Sequence, residues 1–434
     1  MRSQGLMAFF WLVAAAMPAR AQQQDTTTQS LQITLADAIQ RALQVQPSMV
    51  TAQGNVRSAD AQRLAANGAF LPSLSVSGSS SRSGGTVLIG NQLQNQPWKT
   101  NFSGSLSANI DLFTGFRRIA LRSAAGASQD AADAGLINQR YQTTLATKQA
   151  FYNALADEEL VRVAEAQLAR TRQELQISVD KLRVGSATRS DSLRSAVDYG
   201  NARIALLQAQ SNLAFAQATL GRQIGVDRPV RAVPDTVLPP LPDTSGLRDA
   251  LLGTAPQVRQ ADAQARAARA GVWASRSSYW PTFSASLGKG YSGNEAPWTS
   301  GATYGDNTSI RFGLSWTLFN GFTREQGVAN ASVSRDIAEA QAADTRRAVN
   351  ASLTQAISAL ETASTQLDIA QANLAAATED MRVQQERYRV GASTILDLLT
   401  SQAALTTAGV NVVQTRFNYL ISRATLEALV GHEL

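Results

Sequence analysis

The 434-residue chain has no cysteine and a single histidine. Without cysteine there is no disulfide, no thiol nucleophile, no thiolate metal site and no N-terminal lipidated cysteine. The histidine, His432, stands alone close to the end of the sequence, and no Cys/His/Asp cluster has metal-ligand spacing. Gly288-Lys289-Gly290 lacks every other part of a phosphate loop. No enzyme activity, cofactor or metal is therefore expected. The formal charge is +6, yet lysines and arginines form no cluster with interleaved aromatics, so nucleic acid is not an expected partner. Long apolar runs are missing too: nothing approaches the roughly 18 residues a membrane-spanning helix needs. If the chain sits in a membrane, it does so with strands.

The first residues read as an export leader over 1–21. Arg2 is the charged start, Leu6 to Met17 a short apolar run, and Ala19-Arg20-Ala21 a small-x-small cleavage site. The mature chain then begins near Gln22, and loss of Arg2 and Arg20 lowers the formal charge by two.

What the sequence has in abundance is itself. The segment Asp111 to Gly225 aligns with Thr317 to Gly431 at a constant offset of 206, with no insertion or deletion. Leu112-Phe113 matches Leu318-Phe319, Gly115-Phe116 matches Gly321-Phe322, Arg118 matches Arg324, and Arg183-Val184-Gly185 matches Arg389-Val390-Gly391. Upstream, Pro47 and Pro72 pair with Pro256 and Pro281 at an offset of 209. Two long copies are too few for a solenoid, so the chain is one structure with internal pseudo-symmetry. The expected division is a first repeat over 22–225, a linker over 226–246 holding five of the twelve prolines, and a second repeat over 247–434.

Each copy contains a proline-free stretch that predicts a long helix, 115–184 and 321–390, on the order of 100 Å at 1.5 Å per residue. In the second, Leu353, Leu360, Leu367, Leu374, Met381 and Tyr388 recur every seven residues; in the first, Val161, Leu168, Leu175 and Leu182 hold the same register. Sustained heptads next to small residues predict coiled-coil-like packing in a wall. Each rod is preceded by a shorter helix and followed by a returning one, 188–224 and 394–430, so that two stacked helices can lie beside each rod.

Between short helix and rod the period changes to two. Phe102, Gly104, Leu106, Ala108, Ile110 and Leu112 alternate with Ser103, Ser105, Ser107, Asn109 and Asp111, and Ile310, Phe312, Leu314, Trp316 and Leu318 alternate with polar residues in the second copy. Two hairpins are predicted, about 73–113 and 282–319, with Gly/Ser/Asn/Pro-rich loops at Ser79 to Lys99 and Ser292 to Thr308. The apolar faces have no spare amphipathic helix to cover them. Trp98, Tyr291, Trp298, Tyr304 and Trp316 suit the aromatic girdle of an outer-membrane barrel, favoured here over a sheet packed on a core. Four strands cannot close a barrel in lipid. A dimer would supply eight strands with a filled interior, a trimer twelve with a lumen.

Tandem copies of short helix, hairpin, LFxGFxR, rod, Arg-Val-Gly turn and returning helix resemble the TolC-type outer-membrane efflux channels, over nearly all of the mature chain. The resemblance implies an α+β membrane protein. It would be a homotrimer with a 12-stranded transmembrane β-barrel in outer-membrane lipid, continued by a helical coiled-coil tunnel through the periplasm. It implies a duct for efflux or type I secretion, working with a periplasmic adaptor and an inner-membrane pump. Arg183, Val184, Gly185, Arg389, Val390 and Gly391 would be the adaptor-docking tips. Asp397, Thr400, Tyr388 and Asp191 would sit at the periplasmic gate, where Asp397 forms an acidic ring and Thr400 stands in place of a second one. A basic residue that can tie the gate shut is replaced by Ser393, which implies fewer polar ties. From the residues alone, Gly391, Thr394 and Asp397, like Gly185, Thr188 and Asp191, also read as plain helix caps. The rival reading of the whole chain is a soluble periplasmic coiled-coil scaffold or adaptor, which leaves the hairpins without a role.

Overall fold

The computed structural model describes residues 31–234, 238–243 and 255–434. The expected leader, 1–21, and linker residues 235–237 and 244–246 lie outside the described residues. In chain order the first copy comprises β1 (Leu31–Ile33), α1 (Leu35–Val45), α2 (Pro47–Gly68), β2 (Ser73–Ile89), β3 (Gln92–Thr114), α3 (Arg117–Arg183) and α4 (Arg189–Gln223). After β4 (Val230–Ala232), the second comprises α5 (Pro256–Arg276), a 3-10 turn at Ser277–Tyr279, β5 (Thr282–Gly293), β6 (Gly305–Ser315), α6 (Thr323–Arg389) and α7 (Ile395–Val430).

The rods α3 and α6 each run 67 residues, on the order of 100 Å. Each ends at a glycine in the left-handed region, Gly185 at φ 76° and Gly391 at φ 79°. There the Ser186 N–H bonds the Lys181 carbonyl at 2.8 Å and the Ala392 N–H the Arg387 carbonyl at 2.7 Å, closing the last turn. The helices stand side by side. Away from the sheet the order is α4, α3, α7, α6, and nearer the sheet α2, α3, α5, α6. One border of the wall is thus α2 and α4, the other α6. Among the described residues no helix is long and apolar enough to cross a membrane.

The heptad of the second rod is its buried seam: Leu353, Leu360, Leu367, Met381 and Tyr388 are buried and Leu374 half-buried, with Ala356, Ala363 and Ala370 filling the alternate positions. The first rod differs from expectation. Val161, Leu168, Leu175 and Leu182 are only half-buried, and the seam is instead Ala164, Thr171 and Ser178, three residues out of register. The reason is position in the wall. Helix α6 borders it and buries one stripe against α7, whereas α3 is clasped by α4 and α7 together and needs small residues where the helices approach closely.

The sheet has order β2-β3-β5-β6, antiparallel throughout. The stretch expected as a loop from Ser79 to Lys99 is strand for most of its length. Gly90 and Asn91, at φ 57° and 69°, form a two-residue turn between β2 and β3. Its serine content is no obstacle to pairing: Ser75 with Ser107, Ser77 with Ser105 and Ser79 with Ser103 each share a hydrogen bond of 2.8 Å across the ladder. Conversely β6 stops at Ser315, before the Trp316 and Leu318 that the alternation included. At mid-height β1 and β4 pair in parallel. Phe151, Leu220, Val230 and Phe417 pack there, and the linker carbonyls of Pro239 and Pro240 accept from Tyr419 Oη and the Arg423 guanidinium at 3.0 Å each.

Candidate functional site

Two places repeat in both copies with the same geometry: the junction of sheet and rod, and the far tip of each rod. At the junction the LFxGFxR motif makes one sharp corner. Gly115 and Phe116 both take left-handed backbone (φ 60° and 68°), as do Gly321 and Phe322 (both φ 64°). A phenylalanine there is strained. Its ring is held edge-to-face by the motif's other phenylalanine, Phe113 on Phe116 at 5.3 Å and Phe319 on Phe322 at 5.5 Å. Arg118 then donates to the carbonyls of Leu112 and Ala69, both at 3.1 Å, with its guanidinium 5.0 Å from the centre of the Phe70 ring. Arg324 repeats this in part, donating to the Thr317 carbonyl at 3.3 Å and lying 4.2 Å from the Tyr279 ring, with its other donors on Glu325 at 3.2 Å. The motif therefore locks helix, strand and rod together.

One face of the sheet beyond this corner is mainly apolar and exposed. Val76, Leu106, Leu287, Ile310, Phe312 and Leu314 lie on it, with Lys289 and Asp306 ion-paired at 3.5 Å towards its far end, while the serine ladder lines the opposite face. Aromatics mark both ends. Tyr279, Trp280 and Trp316 stand at the rod end, and Phe102 stacks edge-on to Trp298 at 6.0 Å at the other. From Phe113 to Phe102 a strand tilted as in membrane barrels rises about 25 Å, the height of such a barrel's apolar band. Trp98 departs from the girdle expected of it, packing on Gly84 far up the first hairpin with Arg82 5.8 Å from its ring.

At the tips, Val184 and Val390 project with 77% and 70% of their surface exposed. Each is preceded by an exposed arginine held along its own helix, Arg183 on Asp180 at 3.2 Å and Arg389 on Glu386 at 3.0 Å. The expected caps are both present. Thr394 Oγ1 accepts from the Asp397 N–H at 3.2 Å, and Asp397 Oδ2 accepts from the Thr394 hydroxyl and N–H at 2.7 and 3.0 Å. Thr188 and Asp191 repeat these distances. The threonine hydroxyl and backbone bonds hold both carboxyls below the usual range. Thr400 is exposed one turn beyond Asp397 and donates to the Leu396 carbonyl at 2.9 Å.

Tyr388 is buried against Met381, Ile395 and Leu398. Lys181 Nζ sits 3.8 Å from the centre of its ring and donates to its carbonyl at 2.5 Å, tying α3 to the end of α6. Residue 393 makes no such tie. Higher up, Glu174 of α3 is buried facing Gln402 of α7, whose amide, oriented nitrogen towards the carboxylate, reaches it at 2.5 and 3.0 Å. Burial, with the charge of Asp198 on α4, raises the Glu174 carboxyl to about 7, opposed by Arg170. Sequence reasoning passed over this pair. The only available sign was spacing: Thr171, Glu174 and Ser178 fall on one helix face.

An exposed apolar sheet face between aromatic borders, continued by a helical wall that ends in paired exposed tips, defines a segment of a membrane-anchored duct. The model of the outer membrane efflux protein family matches residues 38–226 and 247–432, and the chain belongs to that family. The pyoverdine export outer membrane protein OpmQ of Pseudomonas aeruginosa is 28% identical over 420 residues, covering 91% of this chain and 82% of that protein. The protein CyaE of Bordetella pertussis is 26% identical over 387 residues, 86% of this chain and 78% of CyaE. Among solved structures, the Campylobacter jejuni CmeC outer membrane channel superposes with a TM-score of 0.80 at 17% identity, covering 92% of this chain and 85% of that one. The chain is an outer-membrane efflux channel protein that extends into the periplasm, which removes the soluble scaffold reading.

Proposed function

We propose that three copies close head to tail into one duct, with the repeats 22–225 and 247–434 forming six near-equivalent wall segments. The observation that carries this is the pair of unfinished borders. The sheet ends at β2 on one side and β6 on the other, in antiparallel sense, so β6 of one copy can pair with β2 of the next. The helical wall ends in the same way. Leu193, Val197, Ile204, Leu207 and Phe215 form an exposed stripe on α4 opposite its buried side, and Val333, Ile337 and Ile369 form one on α6. Twelve strands leave a lumen, lined here by the serine ladder, with the apolar face turned to outer-membrane lipid.

In this duct Arg183-Val184-Gly185 and Arg389-Val390-Gly391 are the docking tips for a periplasmic adaptor, which links the channel to an inner-membrane pump. The exposed valines between salt-bridged arginines suit an apolar contact with a polar rim. Asp397 and Thr400, exposed on the returning helix, form the gate constriction of the second copy, with Asp191 its counterpart in the first. Tyr388 acts from behind through Lys181. The duct conducts, and no catalytic step is assigned to it. Single-channel recording in planar bilayers tests the gate. Asp397→Ala is expected to raise basal conductance, and a tightly closed basal state that this change leaves unaltered would sink the assignment.

A further inference from the structure

At the foot of the sheet a cavity of about 900 Å3 opens between α3 and α5, with Val328 of α6 completing its lining. Phe116, Ile119, Trp273 and Trp280 line it, all exposed, with Arg276 beside them. It opens on the apolar side of the sheet: Phe116 meets Trp280 edge-on at 6.1 Å and Phe113 at 5.3 Å, and Phe113 pairs with Phe283 on the apolar face. Its back wall is built close. A β-carbon at Gly115 would lie 2.5 Å from the Ser277 carbonyl oxygen and 2.7 Å from Trp280 Cβ.

The charges around it are unequal. Arg266 is paired with Asp130 at 3.1 Å and Arg269 with Glu339 at 2.6 Å. Arg276 instead lies 5.6 Å from the centre of the Trp273 ring and is ion-paired with no carboxylate among the described residues. An unpaired guanidinium at the mouth of an aromatic cavity, level with the end of a lipid-facing sheet, suits a ligand with an apolar body and an anionic head. The other copy lacks this arrangement: at the 209-residue offset Trp273, Arg276 and Trp280 become Leu64, Asn67 and Leu71.

We propose that this cavity holds one phospholipid of the periplasm-facing leaflet, its acyl chains against Phe116, Trp273 and Trp280 and its phosphate on Arg276. The inference rests on the sheet facing lipid. Three sites per trimer follow, not six. Native mass spectrometry of the detergent-purified, delipidated protein titrated with phosphatidylglycerol tests it. Wild type is expected to saturate at three lipids per trimer, Arg276→Glu to weaken binding about tenfold or more, and Arg276→Lys to retain most of it. Arg172→Glu, a charge change on the exposed face of α3, should bind as wild type. Equal binding by wild type and Arg276→Glu trimers, or displacement of the lipid by equimolar inorganic phosphate, would overturn the lipid site and leave the duct standing. A chain that stays in solution without detergent would overturn both.

Discussion

At the scale of single residues, the matched positions of the two copies turn out to be those with no substitute. Gly391 sits at φ 79° where nothing crowds a β-carbon, so Gly391→Ala tests backbone strain alone and should cost about 1 kcal/mol. Thermal unfolding monitored by circular dichroism reads it, and an unchanged midpoint would refute the strained cap. Arg118 ties three elements through two carbonyls and one ring. Arg118→Ala should therefore cost more, about 2–3 kcal/mol, and appear as a lower yield of assembled channel in the membrane. Arg118→Lys should recover only part, because a lysine cannot reach both carbonyls in the same plane.

At the scale of elements, Glu174 gives the helical wall a pH dependence. Its carboxyl is raised to about 7 from an ordinary value of 4.5. A raised acid holds its proton in the folded state where the unfolded state has lost it, so stability falls as pH rises through that interval. Below about pH 4.5 both states are protonated and no penalty remains; above 7 the penalty is full, amounting to at most a few kcal/mol. Glu174→Gln should flatten the profile and raise the melting temperature at pH 8 more than at pH 5. A profile as steep in the variant as in the wild type would rule out Glu174 as its source. This element was illegible in advance because its partners, Gln402 and Asp198, come from two other helices. The rods, the hairpins and the caps were legible because each is written in a local period: seven for Leu353 to Tyr388, two for Phe102 to Leu112, and three for Thr394 to Asp397. The first rod's seam was misplaced for the same reason. Heptads report one partner helix, and α3 has two flanking it. The Gly90-Asn91 turn was present in the sequence, but the serines around it resembled a loop until their cross-strand partners were known.

At the scale of the whole molecule, the repeat predicts its own assembly contacts. Between α7 and α3, a β-carbon at Gly409 would lie 3.5 Å from Val163 Cγ1. At the 206-residue offset those positions are Arg203 on α4 and Ile369 on α6, the two borders of the wall. Because the chain has no native cysteine, Arg203→Cys combined with Ile369→Cys should give, on oxidation, a covalent ladder that ends at three chains on denaturing gels. A ladder that stops at two or runs past three would contradict the closed trimer. The equal length of α3 and α6, 67 residues each, has a consequence of its own. One residue added to either rod would push its tip out by about 1.5 Å and swing it through about 100°, so the six tips would no longer end flush. Each rod is thus a ruler read against the other. A lineage can lengthen such a tunnel only by matched insertions, in steps that preserve the seven-residue register of both copies at once.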